Sequence, residues 1–146
     1  MQESFIFSDT FAHNIALDSD SLDETRLYKA AKMANVDGFI RTLPLGYHTK
    51  IGMEGNGVSQ GQRQRLLIAR AIYKNPEYIF FDDATNALDT TNESEIMHHL
   101  YEFYHGRTVV VAAHRLSTVK NADQIVVIDQ GKVVEVGNHE SLTAKR

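Results

Sequence analysis

Three short, almost wholly apolar runs of β-forming residues decide most of what this chain can fold into: Tyr78-Ile79-Phe80-Phe81, Thr108 to Ala112, and Gln124 to Ile128. Strands that are apolar throughout, rather than alternating with polar residues, predict a sheet covered on both faces, as parallel sheets are. Between the first two lies Asn92 to Tyr104, with Ile96, Leu100, Phe103 and Tyr104 at helical spacing and Asn92 and Glu95 as a capping pair. Strand, crossover helix, strand is the unit from which parallel α/β sheets are built. After Ile128, Asp129-Gln130-Gly131-Lys132 reads as a turn and Val133 to Val136 as a return strand, so a closing hairpin is predicted, with a short helix from Asn138.

The preceding residues are helical. Ser21 and Glu24 stand at capping-box spacing before Leu27, Ala30 and Ala31, which predicts a helix from about 21 to 34. A second covers Val36 to Thr42 and stops before Pro44. Gly46, Gly52, Gly55 and Gly57 mark residues 44 to 58 as an irregular connection. Ser59 and Gln62 repeat the capping-box spacing, and Leu66, Leu67, Ile68, Ala69, Ala71 and Ile72 give an apolar face that runs to Lys74 before Asn75-Pro76 ends it. Phe5, Phe7 and Phe11 are expected in the core, and Arg63 and Arg65 on a solvated face.

Composition narrows the function classes. At 146 residues, 42% hydrophobic and 23% charged, the chain suits one globular domain or part of one. Its net charge of -4 argues against a nucleic-acid partner held by bulk electrostatics. The absence of cysteine excludes disulfides and thiolate metal sites. The longest apolar run, Val109 to Ala113, is far short of the roughly 20 residues that span a bilayer, and the N-terminus lacks the basic and apolar stretches of a secretory signal.

Two stretches carry chemistry. Asp82 and Asp83 follow an apolar strand at its carboxyl end, where open α/β sheets bind ligands. Successive strand side chains face opposite ways, so Asp82 is suited to hold Mg²⁺ through water while Asp83 faces an attacking water; the plainer alternative is two acids opening a solvated turn. Gly57-Val58-Ser59-Gln60-Gly61-Gln62 opens a helix with small residues, exposing backbone N–H groups at the positive end of the helix dipole, a place that suits phosphate or simply a well-capped helix with nothing bound. His98, His99 and His105 point in different directions from a helix and its end, so they are read as surface residues.

Taken together, Val58-Ser59-Gln60-Gly61-Gln62 and Tyr78 to Asp83 resemble the ATP-binding cassette family, whose signature Leu-Ser-Gly-Gly-Gln precedes Walker B by one helix and a turn. Ala84-Thr85-Asn86-Ala87-Leu88-Asp89 is similar to the D-loop, and Ala112-Ala113-His114-Arg115-Leu116-Ser117-Thr118 to the switch-histidine segment. Gln2-Glu3-Ser4-Phe5-Ile6-Phe7 looks like the start of the Q-loop, and Thr49-Lys50-Ile51-Gly52 resembles the segment before the signature in exporter-type cassettes. The resemblance implies an α/β fold of the P-loop NTPase type, with the Q-loop and helical subdomain in residues 1–57 and the signature helix and C-terminal part of the catalytic core in residues 58–146. It implies ATP and Mg²⁺ as cofactors. Asp83 would be the general base, His114 the γ-phosphate sensor, and Gln2 a reporter of Mg²⁺ and water; Asp82 and Gln2 would hold the metal. Ser59, Gln60, Gly61 and Gln62 would meet an ATP held by a second cassette in a head-to-tail dimer, with Asp89 at the seam. Transmembrane domains of an exporter would be the other partner, at the cytoplasmic face of the cell membrane.

The chain also departs from the family pattern. It contains no G-x-x-x-x-G-K-[ST]; its only Gly-Lys pair is Gly131-Lys132, with Val126 where the first glycine should be and Val133 after the lysine. The resemblance therefore implies that the phosphate-cradling loop lies before Met1, and a C-terminal part of a cassette, inactive alone, is expected. Asp83 stands where the family usually has glutamate, Gln60 where it has a signature glycine, and Met53 where exporters often have glutamate. An ATPase segment of an exporter is the leading expectation. A soluble ATPase of the same family acting on ribosomes or DNA is the alternative, told apart by whether transmembrane helices are fused to it. A catalytically inactive interaction module is the third.

Overall fold

The computed structural model describes residues 5–17, 21–52, 57–82, 90–112 and 119–144, with the backbone alone at 81, 82, 90–95 and 97. These fall into two compact units, one drawn from Met1–Ile79 and Ala84–Val109, the other from Phe80–Asp83 and Val110–Arg146.

The first unit is a helical assembly. Helix α1, Phe11–Ala16, has no counterpart among the predicted elements: six residues are too few to show a period, and its start depends on Thr10, whose side chain accepts from the His13 amide. Helix α2, Glu24–Met33, is capped by Asp23, whose Oδ1 accepts from Arg26 N at 3.0 Å, so it begins later than the Ser21 expectation. Helix α3 covers Asp37–Thr42, and the described residues of the connection that follows are irregular apart from one 3-10 turn at Gly46–His48. Helix α4, Gln60–Lys74, starts on the anticipated capping box and ends at Asn75, whose positive φ of 53° turns the chain toward Pro76.

Helix α4 packs against α1 and α2. Ile15 from α1, Leu27 from α2, Ile40 from α3 and Leu66 from α4 are all buried. Each such side chain contributes roughly 1.5–3 kcal/mol by leaving water. Residues 9–11 fasten the irregular connection to this core: Phe11 N donates to Thr49 O at 3.1 Å, Ile51 N to Asp9 O at 2.9 Å, and Thr10 bridges Lys50 antiparallel.

Strand β1, Tyr78–Asp82, and strand β2, Thr108–Ala112, pair in a two-stranded sheet joined through α5, Thr90–Tyr104. Thr108 N donates to Glu77 O at 3.1 Å, so both strands begin at the same end, as in a β–α–β unit. Of the four α5 residues at helical spacing, Ile96, Leu100 and Phe103 are buried and Tyr104 is half-buried.

The second unit holds the hairpin. Strand β3, Ile125–Asp129, pairs antiparallel with β4, Lys132–Gly137, with a register shift between Val127 and Ile128. Gln130 and Gly131 at the turn both have positive φ, 47° and 74°, the backbone that a two-residue type I′ turn requires. Helix α6, His139–Thr143, follows on the Asn138 cap.

The structure corrects two expectations about burial. The apolar strands were predicted to be covered on both faces, yet Phe80 is 76% exposed, Val110 48% and Ile128 66%. Apolarity records what a strand is suited to pack against, and two separate two-stranded sheets provide no such cover among the described residues. Likewise Phe11 is buried, but Phe5 and Phe7 are exposed and meet each other edge to face at 5.1 Å.

Candidate functional site

The start of α4 is the best-defined polar site in the described residues. Ser59 Oγ accepts from the Gln62 amide at 3.2 Å, and Ser59 N donates to Gln62 Oε1 at 2.8 Å. Arg63 N donates to Ser59 O at 2.9 Å. The amides of Gln60 and Gly61 are the first two of the helix and have no intrahelical acceptor. They stand at the positive end of the helix dipole with no acidic residue in the first turn. The capping box uses the Ser59 oxygen as an acceptor and leaves its hydroxyl proton able to donate. Gln60, in place of a glycine, is exposed. Upstream, Gly57 has a φ of +95°, a backbone that a side chain would strain, and delivers the chain into Ser59.

The two arginines expected on a solvated face are drawn inward. Arg65 Nε donates to Gly61 O at 3.3 Å and Nη1 to Asn35 O at 3.4 Å, tying the first turn of α4 to the end of α2. Arg63 is half-buried and its Nε is out of contact with water. The contact of α4 with α1 and α2 leaves this face little solvent.

Of the residues predicted to act together, the structure brings Ser59, Gln60, Gly61 and Gln62 into one turn. Asp82 is the last residue of β1 and Ala112 the last of β2, so the shared start of these strands brings both to the carboxyl edge of that sheet. Gln2, Asp83, Asp89 and His114 lie outside the described residues, as does Met53.

Asn14 and Arg70 were not anticipated. Asn14 is fully buried. Its Oδ1 accepts from Phe7 N at 2.8 Å, and its Nδ2 donates toward the carbonyls of Phe7, Thr10 and Asp9 at 3.0, 3.0 and 3.3 Å. Arg70 Nε donates to Asn14 O at 2.8 Å and Nη1 to Phe5 O at 3.1 Å. Burial holds the Arg70 guanidinium below its ordinary pKa. The sequence offers one faint signal, a polar residue at i+3 from Phe11 on the buried side of α1.

A groove of about 640 Å³ elsewhere in the first unit is lined by Arg26, Lys29, Met33, Asn75, His99 and Arg107, among others. Its guanidiniums are already engaged: Arg26 lies over the Tyr73 ring at 5.0 Å, and Arg107 donates to Asn75 Oδ1 at 2.6 Å. His99 Nδ1 is 3.2 Å from Met33 O, while His98 is exposed.

Residues 1–86 match the profile of the family described as ABC transporter. An ATP-dependent lipid A-core flippase of Saccharophagus degradans is 51% identical over 141 residues, 97% of this chain and 24% of that protein. The leukotoxin export ATP-binding protein LtxB of Aggregatibacter actinomycetemcomitans is 44% identical over 142 residues, 97% of this chain and 20% of that protein. Among solved structures, a bacterial Atm1-family ABC exporter with ATP bound superposes with a TM-score of 0.91 at 42% identity, covering 99% of this chain and 25% of that one. The chain thus spans about a quarter or less of the length of these relatives.

Proposed function

This chain belongs to the ABC transporter family, and from that premise we propose that it is the part of an exporter's ATPase that receives a nucleotide phosphate from a second cassette and answers to the transmembrane domains. The observation that supports this most is the start of α4, where two amides without an intrahelical acceptor and the Ser59 hydroxyl share one turn that holds no acidic residue. Ser59, Gln60, Gly61 and Gln62 would close on the γ-phosphate of an ATP held by a head-to-tail partner, with Asp89 at the seam. Asp82, at the carboxyl end of β1, and Gln2 would hold Mg²⁺; hard oxygen donors suit that ion, which neutralises phosphate charge when bound. Asp83 would orient and deprotonate the attacking water, and His114 would hold the γ-phosphate. Residues 1–57 would face the exporter's transmembrane domains and residues 58–146 would complete the catalytic core, at the cytoplasmic face of the cell membrane.

The relatives support ATP use rather than cargo choice as the work of these residues. One is named for lipid A-core and another for a leukotoxin, yet both match over almost the whole of this chain. What they share here is the engine, and the cargo is set elsewhere.

Asp83 is one methylene shorter than the usual glutamate, and a displacement of about 1 Å can cost on the order of 10²-fold in rate. In the full-length gene product we expect slow Mg²⁺-dependent ATP hydrolysis that Asp83→Glu accelerates and Asp83→Asn abolishes. A rate unchanged or lowered by Asp83→Glu overturns the assignment of the base. The 146-residue chain alone, which contains no phosphate-cradling G-x-x-x-x-G-K-[ST], is expected to show no turnover above background. Activity of that chain that disappears on Asp83→Asn overturns this.

A further inference from the structure

Arg70 lies on α4 about three turns beyond Ser59, roughly 16 Å along the helix axis. It makes no ion pair among the described residues. Its guanidinium instead donates to two backbone carbonyls, Phe5 O at 3.1 Å and Asn14 O at 2.8 Å, and to the Asn14 side-chain oxygen at 3.4 Å. The same group lies over the Phe7 ring at 5.5 Å. A half-buried cation held by carbonyl dipoles and a ring face gives up hydration without a counter-charge among the described residues, so what it gains is geometry. Asn14 supplies the other half of the joint by bonding the carbonyls of Phe7, Asp9 and Thr10 from inside the turn. Residues 9–11 in turn pair with 49–51. One short segment, 5–14, is thereby bonded to α4 and to the stretch that precedes Gly57 and Ser59.

We propose that Arg70 is a positioning residue that makes residues 5–14 and α4 one rigid lever, so that a displacement of that segment reaches Ser59–Gln62 at the other end of the helix. The inference rests on the proposed function, because it assigns the far end of the lever to a phosphate. An α-helix carries such a displacement without loss, since its length is fixed by its own hydrogen bonds. A lysine in place of Arg70 reaches at most part of this acceptor set, because a point-like ammonium lacks the planar fork that spans two separate carbonyls.

The test uses the full-length gene product in lipid, with Arg70→Met, which keeps an apolar stem and loses every donor, and Arg70→Lys. Hydrogen exchange over residues 5–14 and 60–74 is measured beside steady-state ATPase. Arg70→Met is expected to raise exchange in 5–14 about tenfold while Leu66–Ile72 stay protected. Its kcat should fall about tenfold with the KM for ATP within about twofold, and Arg70→Lys should recover part of that loss. Unchanged exchange in 5–14 overturns the proposal, as does raised exchange with an unchanged kcat. Exchange that rises equally along α4 assigns Arg70 to stability and overturns it too, unless Arg70→Lys restores kcat with α4 protected. An unsubstituted protein without ATP turnover fails the proposed function itself, while the exchange comparison still decides whether Arg70 binds the segment to the helix.

Discussion

The helical unit and the β3–β4 hairpin both carry valine, isoleucine and leucine, and put them to opposite ends. In the helical unit these side chains meet one another: Val36, Ile40 and Leu66 are all sealed from water. In the hairpin, Val126, Ile128, Val133, Val134 and Val136 all stand exposed. The helices satisfy their own backbone and bury their stripes within one unit. The hairpin pairs one edge of each strand and leaves its apolar faces without cover among the described residues. Local structure therefore forms in both regions, and only one of them converts it into a core. Apolar side chains stabilise a fold through the water they exclude, not through being apolar.

The largest effect should come from breaking the core that exists. Leu66→Ala, at a position 0% exposed, is expected to cost about 2–5 kcal/mol through lost transfer energy and a cavity between α4 and its neighbours. Urea unfolding followed by circular dichroism measures it. A loss below about 0.5 kcal/mol, typical of surface sites, would mean that α4 is not packed as described.

A smaller effect belongs to the helix start. Ser59→Ala removes the acceptor of the Gln62 amide and is expected to cost about 1 kcal/mol. Ser59→Asp keeps a capping oxygen but places an anion where a phosphate is proposed. It should therefore retain stability while weakening ATP-driven dimer formation in the full-length protein. Equal ATP response in Ser59→Asp and the unsubstituted protein would remove Ser59 from the phosphate site.

How far such features could be read in advance depended on how local they are. Ser59 and Gln62 are three residues apart, and their capping box is present as expected. The turn at Gln130-Gly131 and the Asn138 cap are equally local, and both formed. Helix α1 escaped notice because it is short and begins at a threonine cap without periodic support. Arg70 and Asn14 are 56 residues apart, and nothing near either one announces the other. The strands were recognised from composition, but what covers a strand is a tertiary fact, so Phe80 and Ile128 were expected to be buried and are exposed. At the candidate site the residues within one turn were legible and came together. Those expected from separate motifs, Gln2, Asp83, Asp89 and His114, lie outside the described residues and rest on the family pattern.

The hairpin provides the converse of the Leu66 experiment. Ile128→Thr and Val133→Thr keep β-branching while removing exposed apolar surface, so each should change stability by less than about 0.5 kcal/mol and improve solubility. Light scattering at rising concentration checks the second point. A cost comparable to that of Leu66→Ala would show that the hairpin face is covered, and would erase the contrast between the two regions.

The smallest effect concerns Asp9, where the helical unit meets water. One carboxylate oxygen accepts from Thr10 N at 2.7 Å, and the other is 2.5 Å from His13 Nδ1. The Thr10 amide first, then His13, hold this carboxyl below its ordinary value of 3.8, with Lys50 adding to the effect. A carboxyl lowered in the folded state stabilises the fold above its unfolded pKa and loses that contribution as pH falls through the folded one. The window therefore lies below about pH 4, and the exposure of the pair keeps the effect modest. Asp9→Asn retains an acceptor for Thr10 but cannot titrate. The gap in urea midpoint between the unsubstituted chain and Asp9→Asn should consequently be widest at pH 5 and close toward pH 3. A gap that stays constant over that range would mean that the Thr10 and His13 contacts do not hold the carboxylate. The joint between α1 and the 49–51 stretch would then depend on the backbone pairing of Asp9 and Phe11 alone.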